Sequence, residues 1–523
     1  MITKMITQTI NLHEVNVFTE FFLGVSILYL IIHCLLVSVD DKNGFPLLQA
    51  SLINLSTLTI LMSCSLLWND SLTTLCYISF SNSVVNDYLG FISKFIIGIS
   101  SAISLTLIKH YLTTQKINSF EYVLIILFAV LGLFLLCSSN DFITAYLAIE
   151  LQSLSFYVLS AFKKKSSHSV ESGLKYFILG SFSSGLFLFG ASLIYGSLGT
   201  LNFIEIQNMH VFQNVYGQAE WINSKGLYNL NYQLLLDTSC FAAVGLIFVL
   251  VSLFFKLALA PFHLWAPDIY ENSPNSSAFF FAVVPKISIF VILIRISYHV
   301  LLSDLIWSET IISSIGVISV LVGSLGGLEQ RKFKSLLAYS SISHTGYMLI
   351  AFVSESFEGF QMLFCYLIIY TGSGLCIWSV FMLLRLKKIN NGKQNKDLTD
   401  FVLLKKSNKT LAAVLTVALF SIAGIPPMIG FLAKLNIFLV AVSKGLYFIS
   451  FVSIMFSVFS TFYYLRVIKI LYFEPRVVGK LYYPIITQNI GVIVVLNYFF
   501  LFTFINPSLL YLLTHKMSLL FTL

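Results

Sequence analysis

The sequence predicts an all-α polytopic membrane protein of about fourteen transmembrane helices. Three observations carry that prediction. Of 523 residues, 57% are hydrophobic and only 10% are charged, with a mean hydropathy of +0.88, far more apolar than a water-soluble domain. The apolar residues come in runs of about 20, the length of a membrane-spanning helix, and not in the short alternating segments of a barrel. The lysines and arginines fall almost entirely on one set of alternate loops, the asymmetry that orients helical membrane proteins.

The apolar segments lie near 18–39, 47–68, 88–108, 121–137, 141–162, 173–197, 237–266, 277–299, 310–328, 335–353, 360–384, 410–443, 447–465 and 484–513. Segments seven and twelve exceed the roughly 20 residues that a span needs. Both contain proline, at Pro261 and at Pro426-Pro427, so both are expected to be broken helices of the kind that mark binding sites in transporters. Of the 31 basic residues, 21 lie on loops after odd-numbered segments and four on the opposite side, at Lys4, Lys225, Lys444 and Lys516. The net charge of +8 is therefore topological. The basic loop 385–409 reads as a solvated inside loop, and no nucleic-acid partner is implied. Residues 1–16 are polar and no cleavable leader is expected there. The polar connection 198–236 has room for a short hairpin. Seven scattered cysteines lack ligand spacing, so neither a metal cluster nor a disulfide framework is indicated.

Six basic residues remain within spans: Lys94, Lys175, Lys256, Lys286, Arg295 and Lys434. Lys94, Lys175 and Arg295 lie near predicted helix ends, where the head group can reach the interface. The other three are more central. At mid-membrane a lysine costs roughly 2.5–3.5 kcal/mol of insertion free energy, and these three together with the mid-span Glu150 would, if unpaired, cost on the order of 10 kcal/mol. That approaches the whole stability of a typical domain, so a passive spacer would not carry them. Lys256 precedes Pro261 in Phe254–Asp268, which combines a buried cation with a broken backbone. Lys286 follows Pro285 and lies near mid-depth. Lys434 lies just beyond Pro426-Pro427. Glu150 is the acid well inside a span, nine residues after Asp141 and so about 13–14 Å deep. His344 sits centrally in segment ten among serines and Thr345, and its ordinary titration near neutral pH suits a relay. Glu171, expected just ahead of segment six, is four residues before Lys175 and shares its helix face. Titratable groups joined by hydroxyls and water are what proton movement through a membrane requires.

Internal symmetry is visible as well. Segments four to eight carry Glu150 on the second element and Lys256 with its proline on the fourth. Segments nine to thirteen carry His344 on the second and Lys434 with its prolines on the fourth. A five-helix offset reverses orientation, the pattern of inverted repeats. The expected organisation is three helices over 1–117, one repeat over 118–300, a second over 301–475, and a last helix over 476–523.

Five ordered motifs carry a family likeness. They are Ala148-Ile149-Glu150-Leu151-Gln152-Ser153-Leu154-Ser155, Glu171-Ser172-Gly173-Leu174-Lys175-Tyr176, the segment 255–270, Leu337–Tyr347, and Ala423-Gly424-Ile425-Pro426-Pro427 with Gly430-Phe431-x-x-Lys434. Together they resemble the antiporter-like membrane subunits of respiratory complex I (NADH:ubiquinone oxidoreductase), of the subunit 2 or bacterial N type, over roughly 118–475. The resemblance implies fourteen helices, two inverted five-helix repeats and a hydrated axis for protons, at positions matching Glu150, Lys256, Lys286, His344 and Lys434. Lys334 also matches a basic position of the family, although its loop placement favours a purely topological role.

What the resemblance implies is a proton-pumping subunit of a mitochondrial inner membrane, less readily of a bacterial plasma membrane. It would bind no cofactor itself, with NADH, FMN, iron–sulfur clusters and ubiquinone held by partner subunits. Sibling antiporter-like subunits and lipids such as cardiolipin would be its neighbours. A cation/proton antiporter of the Mrp type and a non-transporting structural subunit are the other readings. Glu150–Lys256 is the expected switching pair, with Lys286 central and Lys434 on the exit side.

Overall fold

A chain in hydrocarbon has no water to satisfy its amides, so it closes its backbone hydrogen bonds within helices. A computed structural model describes residues 17–38, 45–71, 77–115, 117, 119–209, 229–300, 305–354, 356–384, 397–402, 404–474 and 487–522, and most of these are helical. The first helices are α1 (Phe18–Ser38), α2 (Phe45–Ser71), α3 (Tyr88–Thr114), α4 (Glu121–Ser138), α5 (Phe142–Ser160) and α6 (Ser167–Leu198). The broken seventh segment is α7 (Asn229–Leu257) followed by the short α8 (Trp265–Asn272). The eighth is α9 (Asn275–Val283) and α10 (Pro285–His299), joined at Val284 as one span. Then come α11 (Leu305–Leu328), α12 (Phe333–Val353), α13 (Phe357–Leu383) and the short α14 (Leu404–Ser407). The broken twelfth segment is α15 (Lys409–Ala423) and α16 (Ile429–Ser443), followed by α17 (Tyr447–Tyr472), α18 (Thr487–Ile505) and α19 (Ser508–Thr522).

Several expectations are corrected. Among the described residues, eleven helices are long and apolar enough to span, or twelve if one bent pair counts as a span. This measure leaves the count of fourteen unconfirmed without overturning it. Segments seven and twelve are interrupted, which leaves the shorter apolar stretches Phe241–Leu257, Lys409–Ala423 and Ile429–Ser443. The last segment is not one straight helix. It bends by 86° between α18 and α19, at Asn506-Pro507, where proline cannot continue the ladder. Helix α6 starts at Ser167, capped by Ser166, whose side chain accepts from Ser169 N. Glu171 therefore lies inside this helix and not ahead of it. A two-stranded hairpin, β1 (Tyr77–Ser79) and β2 (Val84–Asn86), connects α2 to α3 with Tyr77 opposite Asn86. The hairpin expected in 198–236 falls largely on 210–228, outside the described residues, as do 1–16 and most of the basic loop, 385–396.

The α9–α10 span is buried from Asn275 through Ser297, α12 and α13 are nearly so, and α1 and α17 are the most peripheral of the spans. The innermost helices thus carry Lys286 and His344. At the second break the half-helices approach closely. A Cβ on Gly430 would stand 1.7 Å from the Ser421 carbonyl oxygen. Replacing Gly430 with Ala should therefore lower stability by about 1–3 kcal/mol through overpacking. Gly185, with nothing within 4 Å of its would-be Cβ, should tolerate Ala without loss. Thermal unfolding of the two variants in detergent checks this contrast.

Candidate functional site

Lys256 lies in the last turn of α7, whose terminal carbonyls favour a cation. The chain then leaves the helix through Ala258, in the left-handed region at φ 58°, and a cis Ala260–Pro261 bond. Trp265 Nε1 turns back and donates to the Phe255 carbonyl at 2.9 Å. The Lys256 Nζ is buried without a hydrogen-bond partner, 5.8 Å from the centre of the Tyr157 ring.

Glu150, on α5, is half-buried, and Ser153 Oγ donates to its Oε2 at 3.3 Å. No ion pair joins Glu150 to Lys256, so the expected pair is open in this structure. Gln152 and Ser153, on the same helix turn as Glu150, line a small cavity with Lys256, Tyr270 and Lys286. About 20 Å³ of it is open to the centre of a water molecule, room for one or two waters.

Lys286 lines the same cavity from α10. It is 4% exposed, donates to Tyr370 OH at 2.9 Å and to the Ser341 carbonyl at 3.4 Å, and sits 4.6 Å from the Tyr370 ring centre. The Tyr370 ring lies 5.7 Å from the imidazole of His344. Both nitrogens of that imidazole are engaged, Nδ1 with Tyr366 OH at 2.6 Å and Nε2 with Tyr464 OH at 3.0 Å. Across the His344–Tyr347 contact, 6.1 Å between ring centres, lies Lys434, whose Nζ is 5.3 Å from the Tyr347 ring centre. Lys434 donates to the Ala423 carbonyl at 2.9 Å, at the C-terminus of α15. Gly424, at φ 80°, makes the turn there, and a Cβ on it would meet Lys434 Cδ at 2.9 Å. Lys256 and Lys434 therefore sit alike, each against the C-terminal end of a helix at a break.

The structure brings Lys256, Lys286, His344 and Lys434 into one buried line, with Glu150 beside it. Glu171 and Lys175 stand apart. They pair at 2.9 Å, Lys175 also reaches Asp268 at 3.3 Å, and all three side chains are about half-exposed. Lys334 is buried and donates to the Ser273 carbonyl at 2.7 Å and the Glu271 carbonyl at 3.3 Å, so it caps α8, while Lys332 pairs with the Glu271 side chain. Lys94 and Arg295 do not snorkel. Both are buried, Lys94 against Glu20 and Arg295 against Asp87, because a carboxylate from another element reaches each. Beyond the spans, burial pushes the Asp141 carboxyl up to about 6, with a hydrogen bond from Asn202 opposing the rise.

Sequence reasoning named the cations and missed the tyrosines between them. The available signal was Tyr366 and Tyr370, four apart on one face of α13.

The family described as NADH:quinone oxidoreductase/Mrp antiporter, TM, matches residues 139–460. The chain is 34% identical over 502 residues to NADH-ubiquinone oxidoreductase chain 2 of Marchantia polymorpha, covering 96% of this chain and 97% of that one. It is 37% identical over 401 residues to NADH-quinone oxidoreductase subunit N of Paramagnetospirillum magneticum, covering 76% and 77%. A chain of respiratory complex I from Thermus thermophilus with bound aureothin superimposes with a TM-score of 0.74 at 25% identity, over 94% of this chain and 98% of that one.

The two carbonyl contacts of Lys334 make it a structural cap as well as a loop charge. Lys334→Met should lower the thermal unfolding midpoint by an amount corresponding to about 1.5–3 kcal/mol, the worth of hydrogen bonds to a charged group. Lys334→Arg should retain most of it. A methionine variant as stable as the parent would leave only the topological role.

Proposed function

Because the chain belongs to the NADH:quinone oxidoreductase/Mrp antiporter transmembrane family, we propose that it acts as an antiporter-like, proton-translocating membrane-arm subunit of NADH:ubiquinone oxidoreductase. The observation that carries this reading is the line Lys256–Lys286–His344–Lys434, which runs across both halves of the chain, with Lys286 and His344 on its most enclosed spans. Such residues are costly in hydrocarbon, and the groups that separate them here are hydroxyls, aromatic faces and one small cavity.

The chemistry follows from the contacts. Lys256 and Lys286 share a cavity with room for only one or two waters. Two ammonium groups there repel strongly in a low dielectric, so charging one drives a proton off the other. Approach of the Glu150 carboxylate to Lys256 would hold the charge on that side, and its withdrawal would release the charge towards Lys286. Lys286 hands the proton on through Tyr370, and His344 can accept it on one nitrogen and return it from the other through Tyr366 or Tyr464. Lys434, held by the Ala423 carbonyl and the C-terminal dipole of α15, is the exit-side group. The energy comes from quinone reduction elsewhere in the complex and arrives as altered charge states along these residues.

On this reading residues 118–300 and 301–475 are inverted repeats, 1–117 an N-terminal three-helix unit and 476–523 a C-terminal element. The chain itself would hold no redox centre; NADH, FMN, iron–sulfur clusters and ubiquinone belong to partner subunits. Its neighbours would be other membrane-arm subunits and lipids such as cardiolipin. Similarity over nearly the full length to a plant chain named for ubiquinone, where the bacterial relative is named for quinone, supports the mitochondrial inner membrane as its location. The family description also covers Mrp antiporters, and for that reading transport would depend on Na⁺ or K⁺ and not on NADH.

In native membranes, Lys256→Ala should leave the complex assembled and lower both NADH-driven proton uptake and coupled electron transfer several-fold. Tyr370→Phe, which keeps the ring and loses the hydroxyl, should lower them less. The rates of NADH-driven proton uptake and of NADH oxidation are the measurements; parental rates of both in Lys256→Ala would remove that residue from the path.

A further inference from the structure

Four charged side chains away from the relay meet where α1, α3, α4 and α10 converge. Glu20 of α1 pairs with Lys94 of α3 at 2.5 Å. Asp87, at the head of α3, pairs with Arg295 of α10 at 2.7 Å. The end of α4 lies between the two pairs. Ser138 Oγ donates to Glu20 Oε1 at 3.2 Å, and the Cys137 carbonyl accepts from Arg295 Nη2 at 2.9 Å. Thr19 Oγ1 donates to Glu20 Oε2 at 2.5 Å, and Lys94 Nζ reaches Asn86 Oδ1 at 3.4 Å. His299, one turn beyond Arg295, bonds Gln207 through Nδ1 at 2.6 Å.

This cluster is not an extension of the proton path. Between Lys286 and Arg295, α10 reads Ile-Ser-Ile-Phe-Val-Ile-Leu-Ile, all buried. Its one hydroxyl, on Ser288, donates to the Pro285 carbonyl. Nor are buried ion pairs a good source of stability, since desolvation offsets their attraction, and the best-attested use of buried polar groups is to fix register.

The geometry fits that use. Asp87 is held in place because, as N-cap of α3, it also accepts from Gly90 N at 2.8 Å. Gly90 lets the groups close: a Cβ there would stand 2.8 Å from Asp87 Oδ1 and 3.4 Å from Arg295 Nη2. The guanidinium is tied at once to α3 and α4. Arg295 and Lys286 are nine residues apart on one helix, about 13–14 Å along its axis, so a shift at one end is delivered to the other.

We propose that the Asp87–Arg295 pair, backed by Glu20–Lys94, is a register lock that holds α10 at a fixed depth and so sets the position of Lys286 against Tyr370 and the cavity it shares with Lys256. Arg295 is on this account a positioning residue, and the assignment rests on the reading of Lys286 as a relay group. Misplacement of a catalytic group by about 1 Å can cost on the order of a hundredfold in rate, so loss of the lock should show in transport before it shows in assembly.

The test compares three variants of the intact complex in native membranes. Asp87→Asn/Arg295→Met keeps a capping side chain and leaves no unpaired charge. Arg295→Lys keeps the pair, and Lys286→Ala removes the relay group. Expected for the double variant is near-parental assembly with a several-fold loss of NADH-driven proton uptake and of the electron transfer coupled to it; Arg295→Lys should keep most of both rates. Parental rates in the double variant while Lys286→Ala is impaired overturn the lock and leave the relay standing. Parental rates of both in Lys286→Ala overturn the relay and the lock with it. Loss of the whole complex in both the double variant and Arg295→Lys would show the pair serving assembly alone, and would also overturn the proposal.

Discussion

A lysine buried in a membrane protein must find electron-rich groups close at hand, and the arrangement of this chain follows from that constraint. Lys434 finds the last carbonyl of α15, and Lys286 a tyrosyl hydroxyl and the Ser341 carbonyl. Lys256 sits in the final turn of α7, where the helix dipole presents negative charge. Each also lies beside an aromatic ring, which attracts a cation through its quadrupole. The two helix breaks are the means by which backbone carbonyls are freed for this purpose, deep in a protein where free carbonyls are otherwise expensive.

Much of this was legible in the sequence. Proline within an overlong apolar run signalled both breaks, and residue depth picked out Lys256, Lys286, His344 and Lys434 before any contact was known. Glu150 was legible as a mid-span acid, but its distance from Lys256 was not, because two groups on different helices can be paired or apart under the same pattern. The pairing of Lys94 and Arg295 was hidden for a related reason. Their partners, Glu20 and Asp87, lie at helix starts, where acids are ordinary, and only the tertiary fold turns them inward. The bend at Asn506-Pro507 is signalled by the proline alone and masked by the apolar run that continues past it.

The two classes of buried charge in the chain are set apart by what surrounds them. The lysines proposed as relay groups have few polar neighbours, none for the Lys256 Nζ, one carbonyl for Lys434, and a hydroxyl and a carbonyl for Lys286, so a change of charge there would break few contacts. The Glu20–Lys94 and Asp87–Arg295 pairs are close, mutually neutralising and tied to backbone groups, so their charge states are held. An apolar stretch of α10 keeps the two classes separate. A protein that moves protons needs both, one set free to change and one that does not follow.

The central claim is that water joins the buried cations into a single path. The most direct measurement is a high-resolution density map of the intact complex in lipid, read for ordered water between Lys256, Lys286, His344 and Lys434. The account predicts water between Lys256 and Lys286, in the cavity lined by Gln152 and Ser153, and hydrogen-bonded continuity from Tyr370 through His344 to Lys434. Side chains packed dry between these groups, with no water and no hydroxyl bridging them, would contradict it.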